Sequence, residues 1–443
     1  MRCSIAVSVV FFFIFNISRV TAQRITWSEH IAPLIHRNCT PCHQNGDAAP
    51  FPLVTYEDVA KRAAFVKKVT QSRYMPPWKP DTHYSTFANE RKLTDEEIAM
   101  LAEWADNGMP KGKKAAVKDE ELVVAGTHTH NNRKPDLVLK MNKPFHVKGD
   151  NLERFIVYKI PFELPDSANV EAIQFTTTNR KIIHHANYEV DAVPDLDIYN
   201  TDDYINLTED NRFKYDQYVP FRKHMIYYGG WIPGSFGESY PENIGWVMPK
   251  RGVILLTMHY APVAKEEDNM SGVEIYFTKT PVKRQIRAIS LGSGGVGEKE
   301  IDPFFYIPAN AVKTFKVKVT TPEDQSLLYV WPHMHYIGKV FKAYGVTPEK
   351  DTIKLVRIPD WNFNWQEIYW FPTLKKIPKG TILTIEGTYD NTANNPNNPA
   401  NPPQLVYSNG DMKSTDEMLT LVMVYLPYEN GDESVILKKN ERF

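Results

Sequence analysis

The motif Cys39-Thr40-Pro41-Cys42-His43 holds the only two cysteines that follow Cys3 in this 443-residue chain. With one possible pair beyond the N-terminus, the chain cannot be built on a disulfide framework. Its fold must therefore depend on core packing and on bonds to a metal or a cofactor. We therefore expect Cys39 and Cys42 to have a role other than a structural disulfide.

The spacing of these residues is that of covalent haem c attachment. In C-x-x-C-H, two thiols add to the vinyl groups of the haem, and the next histidine, His43, binds the iron axially. A redox dithiol does not need this histidine, and a zinc site would need a second cysteine pair. We therefore favour one covalently bound haem c on Cys39, Cys42 and His43.

The second axial ligand of such a haem is expected to be a methionine. Met75, in Tyr74-Met75-Pro76-Pro77-Trp78, is preferred because a proline-stiffened loop can hold its thioether against the iron. Met109 is the alternative, and the sequence leaves the choice open.

Residues 1–22 have the pattern of a secretory signal peptide. Arg2 supplies the positive start, Ile5 to Phe15 are mostly apolar, and Val20-Thr21-Ala22 fits a cleavage site near Ala22. The apolar run is too short to span a bilayer, and no later stretch is long enough. These features predict a periplasmic or secreted bacterial protein without a stable membrane span.

The charge balance argues against one class of partner. The chain has 52 basic and 53 acidic residues and a formal net charge of -1. There is thus no electrostatic reason to expect a nucleic-acid partner. The length suggests about three domains of ~150 residues each.

Helical patterns are confined to the N-terminal quarter. Thr55 with Asp58 predicts a helix from Thr55 to Arg73, and Thr94 to Glu97 form a capping box that opens a second helix. We predict a small all-α cytochrome c domain over residues 23–115. The charged residues 116–135 are expected to be a linker, in which His128 and His130 are a solvated pair.

From about residue 136 the pattern changes to short β-rich runs between turn residues. "RFIVYKIPFEL", "GVILLTMHY" and "TILTIEGTY" are examples, most of them with period-2 alternation. Such runs predict two all-β sandwich or jelly-roll domains, at 136–286 and 287–443. The expected fold class is therefore multidomain, with an all-α domain followed by two all-β domains.

Five histidines in the β-rich part are candidate metal ligands. His333 and His335, in "WPHMHYIGK", would leave the same face of a strand and could bind one ion. His184 and His185 are adjacent and should point to opposite faces unless the backbone bends or different ring nitrogens are used. That pair could equally be one core and one surface histidine, and His259 taken alone is more simply a core histidine.

Considered as a set, these motifs resemble the copper type II, ascorbate-dependent monooxygenases, the family of peptidylglycine alpha-hydroxylating monooxygenase and dopamine beta-monooxygenase. The likeness covers about residues 136–430. It implies one copper on His184, His185 and His259, and a second, catalytic copper on His333, His335 and Met418, the last within Ser414-Thr415-Asp416-Glu417-Met418. "FNWQE", Phe363 to Glu367, also resembles the family and is taken to carry fold rather than chemistry.

The resemblance implies a dicopper enzyme that hydroxylates a C–H bond of a small organic substrate with O2. Two imidazoles and a thioether suit Cu(I), whereas zinc would not select methionine. The haem would supply electrons from a periplasmic donor or an ascorbate-like reductant. The alternative is a non-catalytic haem and copper protein that transfers electrons or binds copper.

One position departs from the peptide-amidating enzyme. That enzyme has an arginine two residues before its H-x-H motif, where it helps to hold the substrate carboxylate, and this chain has Trp331 there. An indole cannot pair with a carboxylate as a guanidinium does. We therefore expect an apolar or aromatic substrate instead of a glycine-extended peptide.

Overall fold

The structure is a computed structural model that describes residues 24–113, 130, 133–209, 212–235, 237–408 and 415–437. The predicted signal peptide with its cleavage site, most of the linker including His128, and Ser414 lie outside the described residues. Within the described ranges, no helix is long and apolar enough to cross a membrane.

The helices are short and lie mainly in the N-terminal part. A π-helical turn at Trp27–Ile31 precedes them. The α-helices are α1 (Ala32–Asn38), α2 (Tyr56–Ala60), α3 (Ala63–Gln71), α4 (Asp95–Asp106) and α5 (Arg212–Tyr215).

Strands make up most of the regular structure. The first set is β1 (Leu137–Lys140), β2 (Phe145–Val147), β3 (Arg154–Glu163), β4 (Ala168–Thr177), β5 (Ile183–Ala192), β6 (Tyr204–Asn206), β7 (Met225–Trp231), β8 (Glu238–Ser239), β9 (Ile244–Met248), β10 (Arg251–Tyr260), β11 (Glu267–Asn269), β12 (Ser271–Phe277) and β13 (Arg284–Gln285). The second set is β14 (Arg287–Gly292), β15 (Tyr306–Ile307), β16 (Ala311–Thr320), β17 (Gln325–His333), β18 (Gly338–Val346), β19 (Thr352–Ile358), β20 (Tyr369–Ile377), β21 (Ile382–Asn391), β22 (Val406–Tyr407) and β23 (Thr420–Pro427).

Each set of strands forms its own sheets. In the first set, β1-β12-β4-β9-β13 with β8 beside β4 form one sheet, β6-β3-β10-β5-β7 form another, and β11 pairs with β2. In the second set, β14-β23-β17-β20 and β16-β21-β18-β19 form two sheets, and β15 pairs with β22. Neighbours among these strands are antiparallel except β13 and β9. Alternation buries one face of strands such as β18, whereas β10 and β17 are buried along nearly their whole length.

The predicted fold class is wrong. The chain is mostly β, with 39% strand and 15% helical residues, and no separate all-α cytochrome domain is evident at the N-terminus. The described residues contain only five α-helices, and the predicted helix from Thr55 is broken where Arg62 leaves helical geometry (φ -120°, ψ 9°). Both predicted capping motifs are present, at Thr55 and at Thr94.

The physical reason lies in the stretch between α3 and α4. Residues 74–94 form no helix, and they run along the second set of strands instead of closing a helical domain. Phe87 is buried in the β core with Trp78 packed against that core, and Asp81 binds Arg357. The helices do bury Trp27 and Trp104 in a small cluster of their own. Even so, this part of the chain is built onto the sheets.

A buried carboxyl group links the two sets of strands. Glu238 of β8 is 3% exposed, and its Oε2 accepts hydrogen bonds from Tyr240 (3.1 Å) and from Tyr329 of β17 (3.0 Å). Burial raises the pKa of the Glu238 carboxyl to about 7. At neutral pH a charge in this position therefore opposes folding.

We expect Glu238→Gln to change how stability depends on pH. A carboxyl whose folded pKa is raised favours the fold below its unfolded pKa, near 4.5, and this contribution is lost as pH rises through 7. The native chain should thus lose stability, by a few kcal/mol, between pH 5 and 8, and the variant should not. Thermal unfolding across this range measures it, and parallel pH curves for both chains would contradict the expectation.

Candidate functional site

A β-bulge brings the first histidine pair onto one side of its strand. His185 of β5 lies opposite His259 of β10, and the next pairing joins Tyr260 to Ile183, which leaves His184 as the extra residue. An extra residue re-aims its side chain, so adjacent histidines need not point to opposite faces. The Nδ1 atoms of His184 and His185 are 3.0 Å apart. The ligand atoms of all three histidines lie within 4.8 Å of one another.

Neighbouring residues orient the rings of this three-histidine group. His184 Nε2 donates to Asn364 Oδ1 at 3.0 Å, and His259 Nε2 lies 3.5 Å from Glu153 Oε2. Phe155 stacks on His259 with ring centroids 4.0 Å apart and an interplanar angle of 18°. The Nδ1 atom of His259 is buried and has no hydrogen-bond partner among the described residues. Such outer contacts fix which nitrogen of each ring faces a metal.

His333 and His335 form a second group at the end of β17. Their Nε2 atoms are 3.1 Å apart, and each Nδ1 is held elsewhere. His333 Nδ1 donates to Gln366 Oε1, and His335 Nδ1 donates to the Asp416 carbonyl oxygen at 2.9 Å. Both rings thus direct Nε2 toward one point, which is how a two-histidine metal site is arranged.

The segment with the predicted methionine ligand wraps the same turn. The buried Glu417 carboxyl group, whose pKa burial raises to about 8, accepts from the backbone N–H groups of His335 and Ile337, each at 2.8 Å. Met418 follows directly and receives a 2.6 Å hydrogen bond at its carbonyl from Tyr389. Because His333 pairs with Thr420 across β17 and β23, Met418 lies at the same end of the sheet as the H-x-H pair.

Burial keeps the histidines in both groups neutral. It lowers the pKa of His184 and His333 to about 4 and that of His335 to about 3. Burial also lowers the pKa of His259, and that of His185 falls well below its usual value. At pH 7 every ring therefore keeps a lone pair for a metal, as copper or zinc binding requires.

A single aromatic ring lies between the two groups. Phe363 is 3% exposed, and its ring centroid is 5.2 Å from His184, 5.8 Å from His259 and 5.6 Å from His335. A second link passes beside it, where the Tyr336 hydroxyl donates to Glu153. The two predicted copper groups are thus neighbours, and both contact Phe363.

The interpretation of "FNWQE" as fold alone missed residues of this site. Phe363, Asn364 and Gln366 of that stretch contact histidines of one group or the other. The available signal in the sequence was the pair of polar residues Asn364 and Gln366, two positions apart and next to Phe363. This pattern is not a metal-ligand spacing, so the contacts with the histidines are evident only in the folded chain.

The cysteine motif forms one tight turn after α1. Cys42 N and His43 N both donate to the Cys39 carbonyl oxygen, at 3.2 and 2.9 Å. His43 Nδ1 donates to the Phe51 carbonyl at 3.0 Å, which leaves Nε2 for an iron. Burial, followed by the nearby Cys42, raises the pKa of the Cys39 thiol to about 12, which disfavours a reactive thiolate. This arrangement fits haem attachment.

The structure does not choose between the two candidate axial methionines. Met75 follows α3, and its N–H donates to the Val69 carbonyl at 3.1 Å. Met109 packs against the small helical cluster, and its carbonyl accepts from the Tyr56 hydroxyl at 2.8 Å. The preference for Met75 stays a prediction.

Comparisons with known proteins do not identify the chain. No family model and no curated protein matches it. A structure of PNGF-II is 9% identical with a TM-score of 0.23, covering 77% of this chain and 72% of that one. A mutant VP2 protein of infectious bursal disease virus is 11% identical (TM-score 0.16; 67% and 76% covered), and the Gt strain of this virus 10% identical (0.15; 69% and 85%). Likenesses this weak carry no argument about fold or function.

We expect two substitutions in one loop to affect different metal groups. Asn364→Ala frees the His184 ring and Gln366→Ala frees the His333 ring, because each removes one outer hydrogen bond. Each should weaken Cu(II) binding about 10-fold or more at its own group and leave the other unchanged. Calorimetric copper titration with electron paramagnetic resonance measures this. Equal losses at both groups from either variant would contradict the assignment.

Proposed function

We propose that this protein is an exported dicopper monooxygenase that hydroxylates a C–H bond of a small organic substrate with O2. In this proposal electrons arrive through a covalently bound haem. The proposal is supported by the convergence of five neutral imidazoles, three buried and two half-buried, into a group of three and a group of two. The order of their motifs resembles the copper type II, ascorbate-dependent monooxygenases.

The donor atoms favour copper at both groups. Three imidazoles at His184, His185 and His259 suit a copper that changes oxidation state, whereas two imidazoles with the Met418 thioether suit Cu(I). Zinc would not select a methionine. When bound, copper would supply the one-electron chemistry needed to activate O2 at the second group, with electrons drawn from the first.

The remaining residues have supporting roles in this proposal. Gln366 holds the His333 ring, the Asp416 carbonyl holds the His335 ring, and Glu417 holds the His335 backbone, so that the metal geometry is set before a metal binds. Phe363 contacts histidine rings of both groups and so limits how far each ring can turn. Trp331 precedes His333 by two residues and lies 5.8 Å from the Tyr228 ring. An indole at this position cannot pair with a carboxylate as an arginine would, which favours an apolar or aromatic substrate.

The electron count gives the cysteine motif a role. Hydroxylation with one O2 takes two electrons and two protons beyond the C–H bond and yields the hydroxylated product and water. A haem held by Cys39, Cys42 and His43 would pass these electrons one at a time from a periplasmic donor protein or an ascorbate-like reductant. Export, a periplasmic or secreted location and this donor are parts of the same proposal.

We expect Met418→Ala to abolish hydroxylation while leaving the haem spectrum and the three-histidine copper signal intact. The thioether belongs to only one of the groups, so the other metal should still bind. Oxygen uptake by the reduced, copper-loaded protein with candidate substrates measures activity, and paramagnetic resonance measures copper. Met270→Ala, at a half-buried methionine between β11 and β12, is the matched control and should keep activity.

Two results would contradict this part of the proposal. Loss of both copper signals in Met418→Ala would mean that the two-group assignment is wrong. Substrate-independent oxygen uptake by the native protein, with electron transfer intact, would favour the non-catalytic alternative.

Electron delivery can be tested without a substrate. The copper-loaded protein should hold two coppers and one haem, and reducing the haem under nitrogen with a protein donor should remove the Cu(II) signal. A Cys39→Ser/Cys42→Ser variant, which has no thiol left for covalent haem attachment, is the control and should keep that signal. If the native signal persists on reduction of the haem, the haem does not supply the copper groups.

A further inference from the structure

The turn that contains the cysteine motif contacts the β-rich part of the chain. A Cβ added to Gly234, which has a φ of +77°, would overlap the Cys42 Sγ atom and approach Arg91 Nη1 at 3.1 Å. Asp47, which is buried, binds Arg180 Nη1 at 3.3 Å just before β5. The cysteine motif is therefore packed against the β-rich part of the chain, near the start of β5, the strand that contains His184 and His185.

Arg91 extends this contact to the second set of strands. Its guanidinium is buried beside Cys42 and forms an ion pair with Glu367, with side-chain exposures of 7% and 10%. The Asn89 side chain donates to the Ile368 carbonyl (2.7 Å) and accepts from the Trp370 backbone N–H (3.1 Å). Glu367 ends the stretch that holds the histidines.

That stretch, Trp361 to Glu367, is named here the bridging loop. It has no strand or helix, so no ladder of backbone hydrogen bonds fixes its position. Side-chain contacts fix it at both groups and at the cysteine motif, with an internal Gln366 to Phe363 bond of 2.8 Å. The residues that make the outside contacts are Trp361 (to the His335 carbonyl), Phe363, Asn364, Gln366 and Glu367.

We propose that Arg91 and Glu367 are positioning residues for both copper groups, acting through the bridging loop. The inference rests on the proposed copper sites but concerns residues that are not ligands. Glu367 is bonded directly to Gln366, which holds His333, and lies three residues from Asn364, which holds His184. An anchor on the N-terminal part of the chain thereby sets the ring orientation in two separate groups.

Charge makes this anchor specific. A buried guanidinium without its partner carboxylate is costly, so Arg91 and Glu367 hold each other in one geometry. Among the described contacts of the bridging loop, this ion pair is the one that lies next to Cys42. The haem attachment turn and the copper groups are therefore held in a fixed relation, as electron transfer between them needs.

The test uses a double substitution that leaves no unpaired charge. Arg91→Met with Glu367→Gln removes the ion pair, while the glutamine amide can still accept from Asn89. We expect Cu(II) affinity to fall about 10-fold at both groups and both paramagnetic resonance signals to change, as second-shell losses do. Thermal unfolding of the metal-free protein is recorded in parallel to verify the fold.

A matched pair elsewhere supplies the control. Arg284 binds Asp432 Oδ1 at 2.6 Å in a similarly shielded ion pair that does not touch the bridging loop. Arg284→Met with Asp432→Asn should lower stability without altering either copper signal. If this control changes both signals as strongly as the test variant, a general loss of packing explains the effect and the proposal is overturned.

A milder change keeps the proposal falsifiable if the double variant does not fold. Glu367→Asp preserves the charge but shortens the side chain by one methylene, and it should shift both signals in the same direction by a smaller amount. Unchanged signals and affinities in a folded variant would overturn the positioning role. If the native protein binds no copper at these histidines, the proposed function is overturned as well. If the native protein binds copper and the variants do not alter it, only the positioning role is overturned.

Discussion

Five imidazoles, four of them in contact with one phenylalanine ring, are the constraint on which the rest of this structure depends. A buried polar atom without a partner costs free energy, and the buried Nδ1 atom of His259 has no hydrogen-bond partner among the described residues. Burial also depresses the pKa of each ring, so protonation cannot relieve the cost near neutral pH. A metal bond would offset this cost, because a metal takes the lone pair that no donor satisfies.

Much of the structure serves to hold these rings. The bulge in β5 turns His184 toward His185, and the end of β17 presents His333 and His335 to one point. Long antiparallel strands supply rigid ends from which the side chains project, a better support than free loops. The bridging loop is the exception, because it depends on contacts from outside its own sheet. Its anchor on Arg91 makes the N-terminal part a component of the site.

The sequence predicted individual elements better than their assembly. The capping motifs at Thr55 and Thr94 and β-rich runs such as "RFIVYKIPFEL" are found where expected, since local hydrogen bonds and alternation determine them. The separate all-α domain was wrong because residues 74–94 bury Phe87 against the sheets. No local pattern reports such a long-range contact. That His184 and His259 lie together was predicted only from the resemblance to a known family. Asn364 and Gln366 were missed because a hydrogen bond to a remote ring leaves no spacing pattern in the sequence.

If each histidine group binds its own copper ion, diffraction from crystals of the copper-loaded protein at the copper absorption edge should locate both ions. We predict two anomalous peaks, one within His184, His185 and His259 and the other within His333, His335 and Met418. A single peak shared by the five histidines, or a second peak away from Met418, would contradict it.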